Sequence, residues 1–249
     1  MKEWIWGRNP VYEALRAGKR KAFQLRLAKG INSDGRVGDI LRLADKKSVP
    51  VSKVNRDSLD GLSRNHQGVA LQVDEYPYAD LSQILELAKG RNEQALVLIL
   101  DTLKDPQNLG TLIRTGELVG VHGLVLPLRR TATVTPAVVN ASSGASEHLL
   151  ICQANLAQTI SHLKENGIWV VGLEGGEEAQ PPDKVDLGGP LAVVVGSEAE
   201  GMRQLVKSSC DFLLQLPMRG RIDSLNAAVA GSVALYLIWQ ARGFKGARS

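Results

Sequence analysis

Leu213-Leu214-Gln215-Leu216-Pro217-Met218-Arg219-Gly220-Arg221-Ile222-Asp223-Ser224-Leu225-Asn226-Ala227-Ala228-Val229-Ala230 reads as a buried strand, a loop and the start of a helix. Pro217 has no N–H for a β-ladder, so the strand is expected to stop there. Ser224 stands where a helix N-cap belongs, before the apolar positions Leu225, Val229, Val233 and Leu237. A strand running through a loop into a helix N-terminus is where open α/β sheets hold ligands. Two other stretches have this character, Leu100 to Arg114 and Val193 to Gly201. The expectation is that the three loops meet in one site.

From Ala95 onward, strand-like and helix-like runs alternate. The strands are expected at Leu96–Leu100, Gly123–Leu126, Leu149–Cys152, Trp169–Leu173, Leu191–Val195 and Phe212–Leu216. Helices are expected at Leu109–Val119, Leu156–Glu165, Met202–Ser208 and Leu225–Trp239. Continuous Val/Leu/Ile strands imply burial on both faces, hence an α/β fold with a largely parallel sheet.

Residues 1–75 read as a separate small α/β unit. Its elements are a strand at Trp4–Gly7, a helix over Pro10–Ala17 capped by Asn9 and ended by Gly18, and a strand at Phe23–Leu27. A helix over Arg36–Lys47 and strands at Val49–Val51 and Gly68–Val73 complete it. His66, in the turn Asn65-His66-Gln67-Gly68, reads as a turn residue or surface contact, with an RNA contact as the functional alternative. Residues 76–93 read as a linker carrying a short helix near Leu81–Ala88, and 94–249 as the second domain. Mobility between the two parts is a hypothesis, which unchanged small-angle scattering on RNA binding would contradict.

The chain has 249 residues, 44% hydrophobic and 22% charged, ordinary for a protein with a sizeable core. Its +4 charge is uneven. Residues 1–75 hold 15 Lys and Arg against 9 Asp and Glu; residues 76–249 hold 15 against 17. A basic first module on a near-neutral body suggests a polyanion gripped by one part and chemistry done by the other, although a plain solvated basic surface would look the same. No apolar run reaches the roughly 18 residues needed to span a bilayer, so no membrane partner is expected. Residues 1–10 lack a signal-peptide pattern. With only Cys152 and Cys210, a reducing cytoplasm is the simplest location. The four histidines show no ligand spacing with the cysteines, so no metal is expected.

The loops hold the chemical candidates. Asn108 reads as a cap for the helix from Leu109, and Arg114 as a cation on a mostly apolar helix that needs an anionic partner, naturally phosphate. Gly196-Ser197-Glu198-Ala199-Glu200-Gly201 is neither a Walker A loop nor a G-x-G-x-x-G fingerprint, which excludes a phosphate-cradling NTPase. It suits a small ligand held by main-chain groups. Leu216, Met218 and Leu225 beside Ser224 and Asn226 give apolar walls with a few polar pins.

Together the three loops resemble the SpoU family, ribose methyltransferases of the knotted SPOUT superfamily. Its Asn-x-Gly-x-x-x-Arg motif stands as Asn108-Leu109-Gly110-Thr111-Leu112-Ile113-Arg114. Val195 to Gly201 matches the second motif, and Leu216-Pro217-Met218 with Ser224 to Ala230 the third. Gly7-Arg8-Asn9-Pro10-Val11-Tyr12-Glu13-Ala14-Leu15, His66 to Ala70 and Ser143 to His148 resemble the RlmB-type branch, whose members carry an accessory N-terminal domain. One departure is Ala228, where the family often has Ser.

The resemblance implies S-adenosyl-L-methionine as methyl donor and an RNA ribose 2′-hydroxyl as acceptor, most simply on a guanosine of large-subunit ribosomal RNA. It implies a C-terminal domain with a deep trefoil knot, an N-terminal domain like small ribosomal RNA-binding proteins, and a homodimer; no DNA partner is expected. It assigns cofactor contacts to Gly196, Leu216, Leu225, Ser224 and Met218, the last against the adenine. Asn108, Glu198, Ser224 and Asn226 would hold the loops and the ribose. For removal of the hydroxyl proton the resemblance suggests Arg114; since arginine stays protonated in nearly all proteins, the physical reading is instead that Arg114 grips RNA phosphate and polarises the hydroxyl, with water or Glu198 taking the proton. Within the chemistry the alternative substrate is transfer RNA; outside it, the alternative is a non-catalytic RNA-binding assembly factor.

Overall fold

The structure, a computed structural model, describes residues 2–197, 200–222 and 224–247. In chain order the elements are β1 (Lys2–Trp6), α1 (Arg8–Ala17), β2 (Ala22–Ala28), α2 (Arg36–Lys46), β3 (Val51–Val54), α3 (Asp57–Asp60) and β4 (Val69–Asp74). Then follow α4 (Leu81–Gly90), β5 (Leu96–Leu100), α5 (Pro106–Leu118), β6 (Gly123–Pro127), α6 (Pro136–Ala141), β7 (Leu150–Ala154) and α7 (Leu156–Glu165). The last are β8 (Trp169–Leu173), β9 (Ala179–Gln180), β10 (Leu191–Val195), α8 (Gln204–Ser209), β11 (Phe212–Leu214) and α9 (Ala227–Ala241).

Two compact units result. One comprises the chain up to Pro77 together with Val134–His148; the other comprises Tyr78–Thr133 and everything from Leu149. The division differs from the sequence-based one by the excursion 134–148, which leaves the larger unit and is built into the smaller one. The contacts that hold it are specific. Tyr76 is buried and its hydroxyl donates to the Ser146 carbonyl at 2.8 Å. Asn140 Nδ2 donates to the Trp6 carbonyl at 3.2 Å, and His148 Nε2 lies 2.7 Å from Glu13 Oε2. The Arg20 and Glu147 side chains are fully buried, with Nη1 and Oε1 3.5 Å apart. Burial pushes the Glu147 carboxyl above its ordinary pKa, against the pull of Arg20. Most of the expected linker is likewise structured: α4 buries Ile84, Leu85 and Ala88, and Ala79 bridges to Cys152.

The larger unit has a seven-stranded sheet, β7-β6-β5-β10-β8-β11-β9, in which every pairing is parallel. All five residues of β5, β6 and β10 are buried, as their unbroken apolar sequences require. On one face Ile84, Leu85, Leu156, Ile160 and Leu163, from α4 and α7, close the core. On the other, α5 and α9 pack together. Gly231 is where they meet: an added Cβ would stand 2.6 Å from Leu112 and 3.1 Å from Val195. The chain runs outward from β5 through β6 to β7, then restarts on the far side with β8, and β10 later fills the gap between β5 and β8. The β5–β10 boundary is thus the topological switch point, and ligands of such sheets bind outside the carboxyl ends there.

The smaller unit has a four-stranded mixed sheet, β1-β4-β2-β3, with only the β2–β3 pair parallel. One face packs Ile5, Leu25, Leu27, Leu71 and Val73 against α1 and α2. Helix α1 ends as expected at Gly18, in the left-handed conformation (φ 62°), but begins earlier, with Gly7 rather than Asn9 at its N-cap. His66 is fully buried, not a surface contact. Its Nδ1 accepts from the Gly68 N–H at 2.7 Å, so Nε2 carries the proton toward Asp60 Oδ1 at 3.1 Å.

Candidate active site

Three loops leave the carboxyl ends of β5, β10 and β11. The β5 loop starts at Asp101, whose side chain is fully buried and ligated by Arg203. Asp101 Oδ2 accepts the Arg203 main-chain N–H at 2.8 Å, and Oδ1 accepts from Nε and Nη2, both at 2.7 Å. Arg203 lies just past the Gly196–Met202 turn, so this pair ties the β5 and β10 loops together. Ser197 and Gly201 exchange main-chain hydrogen bonds of 3.0 and 3.1 Å across that turn. Gly196 sits under it with no room for a side chain: an added Cβ would fall 2.3 Å from the Gly201 carbonyl carbon.

The β11 loop returns across the sheet to α9. Asn226, not Ser224, caps that helix: its Oδ1 accepts the N–H groups of Ala228 at 2.9 Å and Val229 at 3.2 Å. Its Nδ2 donates to Asn108 Oδ1 at 3.3 Å. Asn108 is not a cap either. Helix α5 begins at Pro106 with Asp105 as cap, and Asn108 sits in its first turn. Two caps move, and the two asparagines consequently face each other.

Arg114 is exposed, on the α5 stripe that also holds Gln107, Thr111 and Leu118. Gly196 and Leu216 are buried, whereas Ser224 is exposed and Met218 and Leu225 are 44% and 40% exposed. Glu198 lies outside the described residues. The structure therefore brings Asn108 and Asn226 into contact and leaves Met218 and Leu225 as apolar side chains open at the loop mouth.

One group was not read from the sequence. Glu174 follows β8, and its Oε1 is paired with Lys207. Its Oε2 is buried without a hydrogen-bond partner among the described residues, 3.6 Å from where a Gly201 Cβ would stand. The sequence signal was its position, directly after a strand and before Gly175-Gly176. An orphaned carboxylate oxygen, a tight glycine turn and open apolar side chains suit a ligand with cationic and flat aromatic parts. S-adenosylmethionine has both, so the residues fit that donor. Burial pushes both thiols, Cys152 and Cys210, up to about 11, which disfavours the thiolate at neutral pH. Among the described residues no three His, Cys, Asp or Glu side chains gather to hold a metal. Nor is any described helix long and apolar enough to cross a membrane.

Comparison with known proteins identifies the family. The SpoU rRNA methylase family profile matches residues 95–236, and the profile of the RNA 2′-O ribose methyltransferase substrate-binding domain matches residues 4–79. YacO of Bacillus subtilis, named for the TrmH family of tRNA/rRNA methyltransferases, is 41% identical over 242 residues, covering 96% of each chain. A Staphylococcus saprophyticus protein of the same family name is 40% identical over 97% of each. Among solved structures, the SpoU methyltransferase AviRb of Streptomyces viridochromogenes, in complex with AdoMet, superposes with a TM-score of 0.80 at 23% identity. That superposition covers 98% of this chain and 91% of AviRb. An AdoMet-bound rRNA methyltransferase of Sinorhizobium meliloti gives 0.77 at 24%, over 96% and 87%. Fold and site define an S-adenosylmethionine-dependent RNA methyltransferase with its own substrate-binding domain. The chain belongs to the SpoU (TrmH) family.

Proposed function

We propose that this enzyme methylates the ribose 2′-hydroxyl of a guanosine in large-subunit ribosomal RNA, as a cytoplasmic homodimer of the RlmB-type branch. The observation that carries the site assignment is the Asn226–Asn108 contact beside the switch point, with Arg114 exposed further along the same helix.

When bound, the donor would supply a methyl group on a sulfonium sulfur, to be exchanged for the ribose hydroxyl proton, with the sulfur left as a neutral thioether and the proton passed to a base. Gly196, Leu216 and Leu225 would hold it largely through the main chain, with Met218 available to its adenine and Glu174 to its positive charge. Asn226 and Asn108 lock the third loop onto the first, so that in-line alignment is set before the RNA arrives. Arg114 grips phosphate and donates to the 2′-oxygen, and water or Glu198 takes the proton.

The homodimer reading is supported by an apolar surface on α9. Val229, Val233, Tyr236 and Phe244 are each 40–47% exposed and, with Thr111 and Ser232, line a cavity of about 450 Å3. Arg114 lies on the neighbouring stripe of α5, so a second copy covering this surface would shelter the reaction from water.

Transfer of labelled methyl groups to protein-free ribosomal RNA and, separately, to bulk transfer RNA decides the substrate. One alkali-resistant linkage in large-subunit RNA is expected. Because the relatives' names span both RNAs, labelling confined to transfer RNA would keep the chemistry and overturn the substrate.

A further inference from the structure

The outer face of the smaller unit's sheet is not an ordinary solvated face. Alternation along β1 sends Ile5 inward and Trp4 and Trp6 outward. Register then sets Trp4 opposite Gln72 and Gln72 opposite Gln24, and the next row runs Trp6, Ala70, Arg26, Ser52. One end of this face is closed: Leu59 and Leu62 pack with Ala28, Ala70, Trp6 and Val54, and Trp4 rests against the same cluster with part of its ring surface left exposed. The other end stays partly open, and there the aromatic rings carry cations. The Arg26 guanidinium lies 4.3 Å from the Trp4 ring centre. Phe23, on the irregularity between Ala22 and Gln24, has Lys2 Nζ at 4.1 Å and Lys21 Nζ at 5.4 Å.

A solvated antiparallel face needs neither partly exposed tryptophan nor cations stacked on Trp4 and Phe23. Both features serve a flat, polyanionic partner. Aromatic rings on an open four-stranded sheet stack unpaired bases, and adjacent cations meet the phosphates between them. Gln24 and Gln72, in the middle of the sheet, offer both donors and acceptors to base edges. The Gln24 amide is already oriented, 3.3 Å from the Ser52 hydroxyl. A protein partner would favour an uncharged apolar centre, and a duplex would present phosphates but no base faces.

We propose that this face, centred on Trp4, Phe23 and Arg26, binds an unpaired segment of the RNA substrate by base stacking. Arg26, Lys2 and Lys21 move from the rings to the phosphates as bases take their place. The inference rests on the RNA-methyltransferase reading and adds where, and on which form of RNA, the substrate is held.

The test uses the full chain with a fluorescein-labelled oligouridylate, a blunt RNA duplex as competitor, and Trp4→Leu, Trp4→Phe and Arg26→Gln variants. Circular dichroism melting and S-adenosylmethionine calorimetry run alongside. The wild type is expected to bind oligouridylate in preference to duplex. Trp4→Leu weakens that binding roughly five- to hundredfold, the range for losing one stacked base. Trp4→Phe keeps most of it, which separates lost stacking from lost folding. Arg26→Gln lowers the slope of log affinity against log salt by about one. Cofactor binding stays unchanged in all three. The inference falls if folded Trp4→Leu and Arg26→Gln bind oligouridylate as the wild type does, or if the duplex competes equally. A wild type that binds neither oligouridylate nor ribosomal RNA would instead overturn the RNA reading itself.

Discussion

The two sheets of this molecule solve opposite problems. The larger unit covers both faces of a parallel sheet, so its strands are apolar throughout and nothing can bind except at their ends. Its candidate chemistry is accordingly compressed into loops 101–114, 196–203 and 215–226. The smaller unit covers one face of a mixed sheet and leaves the other only partly covered, so side chains in mid-strand, such as Trp4 and Arg26, keep some exposed surface for the proposed partner. A buried sheet confines function to a point; a half-open one offers an area. That is a sensible division for an enzyme that must place one methyl group on a long polymer.

The comparison predicts two kinds of failure. At the strand ends, loss should be in rate. Arg114→Ala is expected to lower single-turnover methylation by about 10²–10³-fold or more, the usual cost of a lost transition-state donor. Calorimetry should show the cofactor still bound; near-full activity would remove Arg114 from the mechanism. Val233→Glu puts a charge into the apolar α9 surface and, if that surface forms the proposed dimer, should leave the chain a monomer in sedimentation where the wild type is a dimer, with activity falling alongside. Equal masses for variant and wild type would remove this surface from the proposed interface.

Smaller effects probe the scaffold. Gly231→Val forces α9 away from Leu112 and Val195 and should cost about 1–3 kcal/mol in denaturant titration. Asn226→Ala removes a cap and the tie to Asn108 and should cost about 1 kcal/mol of stability. Its effect on rate should exceed its effect on folding; equal effects would mean the asparagine is only a cap.

A last expected change, in pH dependence, belongs to the smaller unit. Burial lowers the Lys19 pKa from 10.5 to about 8, and its ammonium donates to Tyr76. Between those values the unfolded chain binds more protons than the folded one, so stability should rise with pH across that window. Lys19→Met should flatten the rise, and a rise of the same size in that variant would assign it to another group.

Legibility followed the range of the forces involved. Strands β5, β8 and β10 and helix α7 were readable to the residue, because unbroken apolar runs and a simple amphipathic stripe are local signals. Both helix caps in the site were misplaced by local reasoning. Asp105-Pro106 is as good a start as Asn108, and Asn226 as good a cap as Ser224. Choosing between them depends on where α5 and α9 touch, which a single segment does not encode.

By itself the sequence determined the α/β class, the parallel sheet, the three motif-bearing loops and the basic bias of the first 75 residues, because hydrophobic period, turn chemistry and charge are properties of neighbours along the chain. Only the tertiary structure decided that Asn226 meets Asn108, that Asp101 holds Arg203, that Glu174 turns toward the glycine turn an oxygen with no hydrogen-bond partner among the described residues, and that residues 134–148 belong with the smaller unit. Each of these depends on strand order, on the β10 insertion beside β5, or on a buried pair such as Arg20 and Glu147, and groups so far apart in sequence are matched only when the folded core brings their desolvated charges and amides into reach.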